Sequence, residues 1–522
     1  MRLHHGRPAV VLTLLLAVAL LVTGCTSFSD TLADEASSSA SPSPTAEPEP
    51  TPIEWSDCNE EIQKIVARQP GGDRDLSFEC GRTDVPISYD EPEGATLPLF
   101  LVRAVMAGQT DRIGSLVVNP GGPGVSGADA AISLALTLPE GLMRRFDVVG
   151  FDPRGVGLST PVECIPDELK ERLVAAEPRP TSAEQLDESF ALTREVAEGC
   201  ADEYGDALGT FNTVATARDM DRIRASLGDE QLTYLGYSYG TTLGSTYAEL
   251  FPDNVRAMVL DAAVDPDGDP QAKAEAGAKA LEAGFDAYAK NCTGLLAGCP
   301  LGAEPRQFVE ALLGKAATTP IPSRERGETR KATPGIVLTA IQAGLYDTES
   351  WPQLTQALAS ADKGDSQWVF SLADNYTGRL ADKTYSNLID ANLAIGCADT
   401  EETVEERDVR ALVAEWDPKY PLFGAGSALG LYNCSAWEAE RTPLPERDAE
   451  GSAPILVVGT SGDPVTPLPG AQDLAEDLES GVLLTWQGQE HGAYPKTPCV
   501  IDAVNAYLTD LKVPMDGLTC PA

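Results

Sequence analysis

Three short stretches hold side chains that could together perform nucleophilic chemistry: GYSYG at 236–240, GTSGDPVTP at 459–467 and QEHGAY at 489–494. A serine hydroxyl is a poor nucleophile until a base removes its proton, and the usual base is histidine. The chain has three histidines, and His4 and His5 lie in an N-terminal stretch that reads as a removable export signal. His491 is therefore the base available to Ser238. An acid must hold the other imidazole nitrogen, and Asp463, directly after the apolar run PILVVGTSG, is the first choice. Asp261 and Asp265, after an earlier run, are alternatives, whereas Glu490 adjoins His491 but would struggle to reach back to its ring. Thr466 could bond the loop backbone near Asp463 or cap a helix.

An oxyanion formed on the substrate needs preorganised N–H donors. The residue after the nucleophile, Tyr239, supplies one. NPGGPG at 119–124 is suited to supply the second: Pro123 has no N–H, so Gly122 is the first choice and Gly121 the second. A phosphate-cradling role for these glycines is poor, since no GK[ST] follows. Zinc is equally poor, because there is no CxxC and His491 has no nearby cysteine. The chemistry implied is acyl transfer without metal or organic cofactor.

These groups need a scaffold that places them together. Six apolar runs recur along the chain, in GSLVVNPGGPG, FDVVGFDPRGVGLS, QLTYLGYSYG, VRAMVLDAAVDP, APILVVGTSGD and GVLLTWQGQEH. Short β-rich runs with polar C-terminal ends, separated by helical stretches, predict an α/β fold with a mostly parallel sheet. Functional groups then gather at the strand ends. GYSYG sits where a strand enters and a helix leaves, the setting of a nucleophile elbow, and His491 follows the last run.

The ends of the chain speak to its location. Residues 1–24 combine Arg2 and Arg7 with an apolar run too short for a comfortable membrane span. They end in LVTGC, which resembles a bacterial lipobox and would leave Cys25 to carry lipid. The expected location is the outer face of the cell membrane, or the medium. Residues 25–54, rich in Ser, Pro, Thr and Glu, read as a disordered stalk. Without residues 1–24, 36 basic and 80 acidic residues give a formal charge of −44. That field makes nucleic acid an improbable partner and limits membrane contact to a lipid anchor on Cys25. Ten further cysteines, Cys58, Cys80, Cys164, Cys200, Cys292, Cys299, Cys397, Cys434, Cys499 and Cys520, point to five disulfides; of about 945 pairings the sequential one is simplest.

Taken in order, NPGGPG, FDPRGVGLS, GYSYG with TTLGSTYAELFP, GTSGDPVTP and QEHGAY resemble the proline iminopeptidase-like α/β-hydrolases, and most closely the exported tripeptidyl aminopeptidases of actinobacteria. The resemblance runs from about residue 55 onward. The cytoplasmic proline iminopeptidases usually have His-Gly-Gly-Pro-Gly, whereas here Asn119 and Pro120 precede the glycines, which favours the exported subgroup. The family implies a helical cap inserted after the fourth run. The division expected is 55–268 and 449–522 for the α/β-hydrolase core and 269–448 for the cap. It also implies a cap acid that binds the substrate's ammonium group, with Asp399 in GCADT as candidate. The activity implied is a serine exopeptidase releasing tripeptides from the free N-terminus of peptides. An esterase or lipase would use the same triad. A non-catalytic envelope binding protein would have no reason to keep Ser, Asp and His together.

Overall fold

The computed structural model describes residues 50–522 apart from Arg68, Pro266 and Asp267. The signal stretch, Cys25 and most of the stalk therefore lie outside the described residues. Twelve strands follow in chain order: β1 (Ser56–Asp57), β2 (Leu76–Pro86), β3 (Thr96–Met106), β4 (Gly114–Asn119), β5 (Phe146–Phe151), β6 (Leu232–Tyr237), β7 (Val255–Asp261), β8 (Ile321–Pro322), β9 (Lys331–Ala332), β10 (Ile455–Thr460), β11 (Gly481–Trp486) and β12 (Leu518–Cys520). Ten of them form one sheet in the order β1-β2-β3-β5-β4-β6-β7-β10-β11-β12. From β5 to β12 every pairing is parallel, while β1, β2 and β3 add an antiparallel edge.

The six apolar runs are β4, β5, β6, β7, β10 and β11. They read as continuous apolar stretches because both faces of the sheet are covered. Leu116, Val118, Leu456 and Val458 pack under helices Gly127–Thr137 and Pro498–Asp510. Their neighbours Val117, Ile455 and Val457 pack on the opposite face, under helices Thr213–Ser226, Tyr239–Leu250 and Leu468–Asp477. The β2–β3 pair, 11 residues in each strand, has no such run in the sequence. Its alternation is interrupted at Cys80-Gly81 in β2 and at Leu101-Val102, both buried, in β3. Ile53, inside the expected stalk, is buried against the β2 region.

Between β7 and β10 lie eight α-helices and the β8–β9 pair, and none of this segment joins the large sheet. Local signals start several of its helices: Asp269 caps Pro270–Thr293 by accepting from Ala272 N, and Thr333 caps Pro334–Leu345. The helical layer also draws on residues between β5 and β6. Phe190, on helix Ala183–Tyr204, packs with Val409 and Trp416, and Cys164 and Ala197 pack with Ile395 and Cys397. Five disulfides join the ten cysteines in sequential order, Cys58–Cys80, Cys164–Cys200, Cys292–Cys299, Cys397–Cys434 and Cys499–Cys520.

FDPRGVGLS has a structural use. The Arg154 guanidinium is fully buried, where it meets both carboxylate oxygens of Asp219 at 2.6 and 2.8 Å. It also donates to the carbonyls of Pro86, Ile87 and Thr210. A buried charge is tolerable when its partners are this complete, and here it ties the β2–β3 edge to the central helices. Among the described residues no helix is long and apolar enough to cross a membrane.

Candidate active site

Ser238 follows β6 and precedes helix Tyr239–Leu250, with φ 54° and ψ −125°. A non-glycine residue rarely adopts such a conformation, and it is held here because the turn is fixed on both sides. Ser238 N–H donates to Asp261 O at 3.0 Å, and its carbonyl accepts from Thr241 N and Thr241 Oγ1. The flanking glycines are required by close approach. A Cβ at Gly236 would lie 2.4 Å from Gly240 O, and one at Gly240 would lie 2.8 Å from Asn119 O. The sharp turn lifts Ser238 into a cavity of about 840 Å³, on whose wall Gly122 and His491 also stand.

His491 Nδ1 lies 3.1 Å from both carboxylate oxygens of Asp463. The Asp463 side chain is fully buried and accepts further from Val465 N, Thr466 N and Thr466 Oγ1, which hold it in one orientation. Its bond to Nδ1–H leaves Nε2 as the imidazole's acceptor. Thr466 neither caps the next helix nor bonds only backbone: its Oγ1 contacts Asp463 and lies 3.3 Å from His491 Nδ1.

Asp261 takes a different place from the one its position after β7 allowed. Its buried carboxylate accepts from Ala262, Ala493 and Tyr494 N–H groups, so it clamps the loop just beyond His491. Burial raises its pKa to about 6, against these hydrogen bonds, which lower it. Asp265 is not among the groups bonded to the imidazole. Glu490 turns away from the ring: its carboxylate accepts from Thr348 Oγ1 and pairs with Lys496 at 2.9 Å.

Asp399 is a correction. Its carboxylate does not stand on the cavity wall. It sits half-buried behind the elbow, where it accepts from Thr213 N at 2.8 Å and Thr213 Oγ1 at 2.6 Å, and the Thr213 hydroxyl in turn contacts Tyr239 OH. Burial pushes its pKa up to about 7. The acid that does stand on the wall is Asp347, paired with Lys496 at 3.0 Å. Nothing in its sequence context distinguishes it from a helix-capping residue, and it also accepts from Glu349 N.

The loop carrying His491 is tied to the helical layer. His491 N–H donates to Tyr346 O at 2.9 Å, and the Tyr346 ring meets the imidazole edge-on, 5.1 Å between centroids. On the other side of the elbow, Gly121 N–H donates to Asn119 Oδ1 at 2.9 Å. That engagement leaves Gly122 as the available donor of the NPGGPG turn. Among the described residues no group of three or more His, Cys, Asp or Glu could hold a metal ion.

A strained serine at a strand-to-helix turn, beside an aspartate-bound histidine at the end of a parallel sheet, defines a serine hydrolase of the α/β-hydrolase class. The chain belongs to that family: residues 114–494 match the family model described as alpha/beta hydrolase fold. Within it the chain groups with actinobacterial serine peptidases. It is 37% identical over 531 residues to serine protease Hip1 of Mycobacterium tuberculosis, covering 99% of this chain and 98% of that one. It is 30% identical over 485 residues to tripeptidyl aminopeptidase of Streptomyces lividans, covering 90% and 86%. A third relative, carboxylesterase B of Mycobacterium tuberculosis, is 33% identical over 480 residues and covers 89% of each chain.

Proposed function

We propose that this protein is an exported serine exopeptidase that removes tripeptides from the free N-terminus of peptides through a Ser238–His491–Asp463 triad. The observation that carries the reading is the buried Asp463–His491 pair opening onto the cavity that also holds Ser238. Ser238 Oγ attacks the substrate carbonyl while His491 Nε2 takes its proton. Asp463 holds Nδ1–H and stabilises the imidazolium. The N–H groups of Gly122 and Tyr239 receive the oxyanion, and His491 then protonates the departing amine. Water, activated by the same imidazole, releases the acyl-enzyme.

A cavity of about 840 Å³ under a helical layer suits a short peptide segment better than a small ester. Asp347, on the cavity wall and paired with Lys496, is the carboxylate that would receive the substrate's ammonium group. The acyl segment then extends from Ser238 toward the cap. The five disulfides fit an oxidising compartment. The lipobox-like LVTGC supports anchoring through Cys25, with residues 26–49 as a tether.

The test compares one peptide in free and N-acetylated form, incubated with the purified protein and read by mass spectrometry. Loss of a tripeptide from the free form alone, abolished in Ser238→Ala, is the expected result. Equal cleavage of the acetylated form would remove the ammonium site. The carboxylesterase relative favours a second reading, ester hydrolysis by the same triad. Hydrolysis of short acyl esters with both peptides left intact would put that reading first.

A further inference from the structure

A second, more open cavity of about 430 Å³ meets the first at Pro120, Val125 and His491. Its wall includes His491 and Gly492 but neither Ser238 nor Gly122. That asymmetry has a chemical meaning. The base that takes the serine proton must deliver it to the departing nitrogen, so the leaving group emerges past the imidazole, on the side away from the oxyanion donors. The geometry points to this groove as the site that holds the polypeptide C-terminal to the scissile bond, and we propose that it selects apolar or basic residues there and disfavours acidic ones. The proposal rests on the peptidase reading above.

The groove's outer wall is one face of helix Gly127–Thr137, whose residues Asp129, Ala130, Ser133 and Leu134 recur at helical spacing. The helix starts near the catalytic groups, capped by Ser126, and runs away from them. Leu134 lies eight residues beyond Ser126, about 12 Å along the axis. That length spans roughly three to four extended residues. Val125 is 38% exposed at the catalytic end, Leu134 is half-buried at the far end, and Ala130, Tyr237 and Ala262 line the stretch between. Asp129 is the one Asp, Glu, Lys or Arg side chain on the wall, and it is exposed. A carboxylate there repels an acidic side chain and attracts a basic one.

Two substrates sharing their first three residues separate the groove from the main cavity. One is the tripeptide 4-nitroanilide, whose leaving group is a single ring too short to reach Leu134. The other is a ten-residue peptide with Leu, Lys or Glu varied over its fourth to seventh positions. The readout is kcat/KM, which reports acylation while the leaving group is still attached. Wild-type enzyme should prefer Leu and Lys over Glu in the long peptide. Leu134→Glu should lower the long-peptide kcat/KM, relative to that for the anilide, by about tenfold. Asp129→Lys should reverse the Lys-over-Glu preference. Long-peptide rates that follow the anilide in both variants, with no change in charge preference, would overturn the proposal while leaving the peptidase reading intact. Hydrolysis of neither substrate by folded wild-type protein would overturn both.

Discussion

Asp463 and Asp261 show how two aspartates at comparable strand ends come to different uses. Both are buried, and both spend their oxygens on hydrogen bonds. Asp463 meets the imidazole itself, whereas Asp261 holds the backbone two and three residues beyond it. Replacing Asp463 with Asn keeps the shape but presents the wrong partner to Nδ1, so kcat should fall by about 10⁴ while KM for the anilide stays nearly constant. An unchanged kcat would assign the acid elsewhere. Asp399 is a third carboxylate beside the site, half-buried, its oxygens on Thr213 and its effect on Tyr239 carried through that hydroxyl.

The links between elements carry a pH dependence. Asp399 ends helix Leu388–Asp399 and binds the start of helix Thr213–Ser226, joining cap to core. Its pKa rises on folding from 3.8 to about 7. The folded state therefore binds this proton more tightly than the unfolded chain. The sign follows: stability contributed by Asp399 is greatest below its unfolded pKa and declines as pH rises from about 4 to about 7, by about 1.4 kcal/mol per unit at most. Asp261, raised to about 6, adds a decline of the same sign over a narrower window. Thermal unfolding from pH 4 to 8 should show wild type losing stability relative to Asp399→Asn across that window. Parallel curves for the two proteins would show that the carboxyl does not titrate there. The His491 loop has a comparable link to the cap, through Tyr346 O and through Glu490 with Thr348.

At the scale of the whole molecule, the helical layer is assembled from two stretches far apart in the chain, and two of its three disulfides meet in one apolar cluster. Cys164–Cys200 closes the stretch between β5 and β6, and Cys397–Cys434 closes the end of the main insertion. Both half-bridges pack into the same apolar cluster beside the elbow helix, where Tyr239 also sits. Removing Cys397–Cys434 by paired alanine substitution should cost 2–5 kcal/mol, seen as a lower melting temperature. Because that cluster backs the elbow, activity should be lost at a lower temperature than the unfolding of the sheet. Coincident loss of activity and sheet structure would mean that the cap and core unfold as one unit.

Much of the site was legible in the sequence because its signals are local. Five buried strands and the half-buried β11 are continuous apolar runs, and the elbow declares itself by glycines that two backbone contacts demand. Among the described residues His491 is the one histidine, which leaves one imidazole for the base. The sequential disulfide pairing was the simplest of about 945 and is the one the structure has. What remained open depended on partners distant along the chain or on burial. His491 and Asp463 are 28 residues apart and on adjacent strands' ends, whereas Asp261 reaches Ala493 across 232 residues. Asp399 and Asp347 look alike as exposed helix-end acids in the sequence, and packing alone sends one behind the elbow and the other to the cavity wall. The groove beside helix Gly127–Thr137 was invisible for the same reason, and the β2–β3 hairpin because the alternation breaks inside each strand. The six apolar runs and the glycines of the turn after β6 are written locally in the chain; which acids meet the imidazole and where a substrate can lie are set by packing, because those depend on surfaces that exist only once distant segments meet.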